Sequence, residues 1–529
     1  MSREAYPEPP PRAKPGGHPL SPAAERTLMA VVALLLLVPC FWQPHIMAGD
    51  LPSHFYNAWL AGQIERGKLP AELSLAHPVT NVLADWAAEA LLYRLGPSAT
   101  ERIVAGAAVE IFFWGAFCFV AAAAGQRCWI IAPSLAMIAY GLIFHIGFLN
   151  FYVSTAFTLW MMALLWRPRR PWRWLALPLA VLAILAHALP LAWALAVLLY
   201  AYGVRMVPNS QRFLIFLGTA CLLILAQFAL LARFPGNRWS LGDLVSLEAV
   251  LGLTGSGQFW LYGPEYALVV CGVLIVWLAL FLQRLDRRSL LDDPLIHIWG
   301  LSVLAYALIP KVILLPQYNF PLAFMEYRIS FFIAILLCAA VSGGVHGRSL
   351  TRVSGLLASV FFTLMYLDAR TLNHMEADLA RLLSDLPPGS RVAAALLDSA
   401  SWRLNGLEHA GAAACLERCF DYGNYEPSST QFRVRVSGPN DVVAGDVSTV
   451  SDIRSGEHVV TPREAPLYSV CATKQPDVLF EVRKLGAGET TCLVKVPATI
   501  RFERPAGFWP APPPPAAAVI RLQPLLLGE

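Results

Sequence analysis

Charge is what this sequence has least of. Only 14% of its 529 residues are Asp, Glu, Lys or Arg, against about 25% in a typical soluble domain. Together with 57% hydrophobic residues and a mean hydropathy of +0.53, that deficit excludes an ordinary cytosolic enzyme, a disordered chain and a nucleic-acid binder. The net charge of +4 is spread thinly over short segments and speaks to topology rather than to an acidic partner. No Ser-His-Asp order, phosphate-binding loop or metalloprotease motif stands in the C-terminal region, and no clear internal repeat marks a transporter. Beyond His374 no run is long enough to cross about 30 Å of hydrocarbon.

Before that point, apolar runs recur from Thr27 to Asp368. The first, Thr27–Met47, follows a Pro-rich tail carrying Arg3, Arg12, Lys14 and Arg26. No small-x-small cleavage site follows it, and Pro39 beside Cys40 does not suit lipid attachment, so it reads as an uncleaved first helix with a cytoplasmic N-terminus. Further runs are Ile103–Ala124, Trp129–Phe148, Asn150–Trp166, Phe213–Ala232, Tyr266–Leu282, Leu295–Leu315, Ile329–Val345 and Val353–Leu367. The run Trp174–Tyr202 is too long for one ordinary span and is interrupted at His187-Ala188-Leu189-Pro190. One kinked helix and two short helices are both open. Two helices put twice as many lysines and arginines on the N-terminal side of the membrane as on the other. A single helix divides them almost evenly. The positive-inside rule therefore favours two helices.

The expected architecture is an all-α polytopic transmembrane bundle of about eleven helices over 28–368, with a long first outer loop at 48–102. A disordered cytoplasmic tail (1–27) precedes it. A small extracytoplasmic α/β or α+β domain (369–505) and a Pro-rich tail (506–529) follow. In that domain Arg391–Leu397, Gln431–Val436, Val478–Leu485 and Thr491–Val496 read as strands, Glu376–Leu382 as helix and Asn424-Tyr425-Glu426-Pro427 as a surface turn. Six cysteines lie in or beside apolar spans. Cys415, Cys419, Cys471 and Cys492 fall in the domain, where an even set outside the cell suggests two disulfides. Three pairings are open, and a zinc site using Cys415-x3-Cys419 competes with them.

The first outer loop carries the chemistry-bearing candidates. It opens Gly49-Asp50-Leu51-Pro52-Ser53-His54, then runs as an amphipathic stretch to Gly67 and a second segment from Thr80 to Leu95. Trp59, Trp86 and Tyr93 suit helices lying among lipid headgroups. Asp50 stands at the outer mouth of the first span with His54 one turn on. Partial desolvation is expected to raise its pKa and basicity, fitting it to take a proton from a hydroxyl. A bland alternative is that Asp50 marks the water boundary and caps the next helix. Asp85 and Glu89 lie one turn apart. With Asp50 they would offer hard oxygen ligands to a divalent metal, although a solvated helix face explains them too.

The chain resembles the GT-C superfamily of membrane glycosyltransferases, which use sugars attached to polyprenyl phosphate. The resemblance rests on Asp50 after the first helix and on a long loop holding Thr80-Asn81-Val82-Leu83-Ala84-Asp85. It rests also on Gly147-Phe148-Leu149-Asn150-Phe151-Tyr152 opening a span, and on a hydrophobic body leading to an outer domain. It departs from some members in lacking a second acid next to Asp50. The resemblance implies a multi-pass protein of a bacterial-type inner membrane, whose partners are the bilayer, a polyprenyl-phosphate-linked sugar donor and an extracytoplasmic acceptor. Asp50 would be the base, with His54 orienting it or contacting the sugar. Arg328 would hold the leaving phosphate, with Lys311, Arg233, Arg238, His187, Asn81 and Asp85 as further substrate contacts. The metal remains open. A lipid or solute transporter and a non-catalytic envelope scaffold are the rival readings.

Overall fold

The computed structural model describes residues 21–166, 171–234, 239–285, 292–310, 313, 322–343, 348–396, 403–472 and 480–492. Two expected phosphate contacts, Arg238 and Lys311, lie outside them, as do the Pro-rich tail and most of the strand expected over 491–496.

Among the described residues, seven helices are long and apolar enough to cross a membrane: Pro22–Cys40, Pro97–Ala124, Trp129–Ile146, Ala188–Arg205, Asn209–Arg233, Tyr266–Arg284 and Ser349–Ser384. Three shorter apolar helices, Leu149–Leu165, Pro171–Ala186 and Pro294–Leu308, pack among them. Met325–Val341, buried along nearly its whole length, stands at the centre. Helices are the expected form, because hydrocarbon offers backbone N–H and C=O groups no other partner. The protein is a helical membrane protein with a small sheet-bearing C-terminal region.

The helix ends fall into two groups. At one end Glu25 meets Arg127, Arg205 donates to the Trp166 carbonyl, and Cys128 donates to the Ser342 carbonyl. At the other end, called here the domain end, lie residues 41–101, His187 and Phe324–Arg328, together with the C-terminal region. The long run after Trp174 is two helices. Ala176–Ala186 and Ala188–Arg205 meet at His187, whose Nδ1 accepts from the Leu189 N–H at 3.2 Å.

The first helix ends at Cys40, not at Met47. Pro39 closes it in a 3-10 turn and Pro44 keeps the following chain from resuming a helix. The freed backbone is held from elsewhere. Asn373 accepts from His45 N (2.8 Å) and donates to His45 O (3.0 Å), and Glu101 accepts from Ile46 N at 2.6 Å.

Among the described residues six strands complete the fold: β1 (Leu73–Leu75), β2 (Arg391–Ala395), β3 (Phe420–Asp421), β4 (Val434–Val436), β5 (Leu467–Ala472) and β6 (Phe480–Leu485). The main sheet runs β3-β2-β5-β6, with β2 parallel to both β3 and β5 and β6 antiparallel to β5. β5 escapes a sequence reading because its inward and outward residues do not alternate cleanly. β1, from the first loop, pairs antiparallel with β4 in register Leu73↔Val436. Loop and domain therefore share a sheet.

They also share a core. The helix Arg348–Ser384, about 55 Å long at 1.5 Å per residue, runs unbroken from the bundle into the domain, so the boundary expected at 368 falls inside a helix. One apolar cluster continues along it from Phe361 and Met365 through Leu372 and Leu379 to Val392 and Leu404. The domain cysteines pair Cys415–Cys419 and Cys471–Cys492, with Cα separations of 4.5 and 5.9 Å. That pairing takes the thiols a zinc site would need.

Candidate functional site

Asp50 begins the loop helix Leu51–Glu65, and the fold grips its backbone tightly. Gly49 N donates to His145 O at 2.7 Å and Asp50 N to Ile146 O at 2.8 Å. This seat exists because Gly147 turns with φ 89°, the left-handed region. A Cβ on Gly147 would collide with the Asp50 and Leu51 backbone nitrogens. The glycine of the 147–152 segment thus positions the carboxylate.

The Asp50 side chain caps nothing. Its Oδ1 lies 3.0 Å from Nε2 of His409, a 4%-exposed residue of the C-terminal domain, while the Asp50 side chain itself remains 22% exposed. Oδ2 has no hydrogen-bond partner among the described residues. Burial pushes this carboxyl up, but the His409 hydrogen bond and the charges of His409, His54 and Arg454 outweigh it and hold the pKa below the usual value. The expectation of a raised pKa is therefore corrected: bringing the domain against the loop surrounds Asp50 with cations that the sequence does not place there.

His54, one turn along, does not touch Asp50. Its Nδ1 lies 2.8 Å from Asp85. Burial would lower the imidazole pKa, yet the charge and hydrogen bond of Asp85, with Glu426 and Asp50 beyond, raise it to about 9. Asn150 fixes the Asp85 carboxylate by donating to Oδ2 at 3.0 Å, and accepts from Ala84 N at 2.9 Å in the first turn of the Leu83–Leu95 helix. Glu426 closes the other side. Buried to 5% exposure, it is pushed up to about 8 by desolvation and accepts from Ser53 Oγ at 3.2 Å. The expected surface turn at 424–427 is instead the buried start of the short helix Tyr425–Ser429. It is held by the reciprocal amide pair of Asn424 and Asn57.

Arg328 faces Asp50 and Glu326 electrostatically, and His187 lies within its field. Its guanidinium rests over Phe148 at 4.5 Å and Phe151 at 5.5 Å. Its Nε is buried without a hydrogen-bond partner among the described residues. Asp50, Arg328 and His187 thus converge on one region. Asn81 serves the turn before the second loop helix, with φ 60°. Arg233 is exposed at the end of its span, over Phe234 at 5.3 Å.

The donor set does not fit a divalent ion. Asp50 Oδ1 is engaged by His409, Asp85 by His54 and Asn150, and Glu89 by Arg433, which also pairs with Glu65 at 3.0 Å. Among the described residues no three His, Cys, Asp or Glu side chains gather as a metal site would require.

The sequence reading missed His409 and Arg454. Arg454 sits 3.4 Å from both ring nitrogens of His409, pairs with Glu408 at 3.1 Å and lies 5.0 Å over the Tyr425 ring. Nothing local marks either residue, since each reaches Asp50 only through tertiary docking. No family model matches the chain, and no curated protein and no solved structure matches it either.

Proposed function

We propose that this chain is a GT-C-like membrane glycosyltransferase, moving a sugar from a polyprenyl-phosphate donor to an extracytoplasmic hydroxyl. The observation that carries the reading is the half-buried Asp50 carboxylate, with one oxygen held by His409, the other without a partner among the described residues, and Arg328 within its electrostatic reach. The acceptor O–H lies against Oδ2. As its oxygen bonds to the anomeric carbon, the bond from that carbon to the phosphate oxygen breaks, and the acceptor proton ends on Asp50. The charge appearing on the leaving phosphate falls to Arg328, whose stacking on two phenylalanines leaves Nε for an anion. The His54–Asp85 pair stiffens the floor of the site and adds positive charge near Asp50.

In this reading the ten apolar runs, with the long one after Trp174 counted as two helices, make eleven crossings of a bacterial-type inner membrane, with the N-terminus in the cytoplasm and the domain outside. Grouping of alternate helix ends and two disulfides in the domain support that orientation. The test is Asp50→Asn in cells scored for surface glycans, lipid-linked sugars and glycoproteins. Loss of a general base lowers the rate roughly 10²–10⁴-fold, so a lipid-linked sugar should accumulate and its acceptor remain bare. Normal expression with unchanged glycans of every class would leave the protein a scaffold.

A further inference from the structure

A second feature lies on the other side of the loop helix. An open groove of about 430 Å³ is lined by Trp59, Gln63, Lys68, Leu69, Tyr93, Glu417 and Phe420, a volume within the range of small-molecule sites. Trp59 is five residues beyond His54, about 140° round the helix at 100° per residue, so the groove does not open onto Asp50. None of its lining residues belongs to a membrane-crossing helix.

The groove is built rigidly. Gly62 has no Cβ to obstruct the Tyr93 ring, which lies directly on the helix backbone. The Tyr93 hydroxyl donates to Trp59 O at 2.8 Å, and Arg66 covers the ring at 3.5 Å. On the domain side Phe420 stands 6.1 Å from Trp59. Glu417 is held in a left-handed conformation, φ 66°, inside the five-residue loop that the Cys415–Cys419 disulfide closes. Such a fixed wall lowers the ordering cost of binding.

We propose that this groove binds a neutral oligosaccharide, independently of any transfer at Asp50. Phe420 is partly exposed and, with the rims of Trp59 and Tyr93, offers apolar contact to the C–H side of a sugar ring. Gln63, Lys68 and Glu417 offer donors and acceptors to hydroxyl edges, and the single cation and single anion among the lining residues cancel. An acyl chain would leave those polar groups unpaired, and a polyanion would meet Glu417.

The full chain in phosphatidylcholine nanodiscs is titrated with maltohexaose, cellohexaose and chitohexaose, followed by saturation-transfer NMR and calorimetry. At least one hexasaccharide binds, and Phe420→Ala weakens it about tenfold or more. The exposed pair Lys68→Ala/Glu417→Ala also weakens it, which decides the matter if Phe420→Ala lowers thermal stability. Asp50→Asn binds like the parent, separating this site from the transfer reading. The proposal is overturned if none of the three probes binds with Kd below about 10 mM. Binding that ignores all these variants, or a preference for fatty acid over saccharide, overturns it equally.

Discussion

At the residue scale, the contest around Asp50 is between burial, which favours the neutral acid, and the cations that favour the carboxylate. The cations win, so the base is ionised throughout the neutral range, and activity should fall only below the ordinary carboxylate pKa. Replacing His409 with Ala removes the leading stabiliser. The acid limb of the rate profile should then move to higher pH while the limiting rate falls, whereas a merely structural role would leave the limb in place. Two groups set the alkaline side. Glu426 and His54 both have raised pKa values, about 8 and about 9. Raised values contribute stability that is fully present below the unfolded pKa of each group and is lost as pH rises through the folded value. The unfolding midpoint should therefore fall as pH rises from 4.5 to about 8 through Glu426 and from 6.5 to about 9 through His54, and Glu426→Gln should remove the first part of that fall.

At the scale of elements, the segment 147–151 does several jobs at once. Gly147 seats the Asp50 backbone, Phe148 and Phe151 carry Arg328, and Asn150 orients Asp85 and satisfies the next helix. Gly147→Ala combines an unfavourable φ with a collision against Asp50. It should cost about 1–3 kcal/mol of stability and a disproportionate share of activity, read as kcat at unchanged expression. Asn150→Ala, which spares the backbone turn, should weaken the His54–Asp85 pair and lower the alkaline limb without abolishing the fold.

At the scale of the molecule, the site is composite: bundle, first loop and C-terminal domain each supply part of it. Arg403 ties the domain to the bundle. Its side chain is 3% exposed, donates to the carbonyls of Gly257 (2.6 Å) and Trp260 (3.0 Å), and pairs with Glu248 at 2.9 Å. The Cys471–Cys492 bridge closes a loop over a sequence separation of 21. Replacing both cysteines with Ser should lower domain stability by about 3 kcal/mol, measurable as a shift in the unfolding midpoint. Topology has its own check. Ser210 and Ser240 are exposed at opposite ends of the Asn209–Arg233 span. With cysteine at each in turn, an impermeant reagent added outside should label position 240 and not 210. The reverse would overturn the eleven-crossing arrangement.

Composition and hydropathy alone determined that this is a helical membrane protein with a small domain after it. Burial in hydrocarbon acts on long uninterrupted runs, and such runs are legible one segment at a time. The break at His187 and the positions of Asp50 and Arg328 were legible for the same reason, because a polar residue among apolar ones stands out. Tertiary structure alone decided what surrounds them. His409 and Arg454 lie more than three hundred residues from Asp50 in the chain, in a region of ordinary polarity. Their charge reaches the carboxylate only when the domain folds over the loop and excludes water. The direction of the Asp50 pKa shift turned on that docking, since electrostatic fields depend on distance in space and carry no mark in the order of residues.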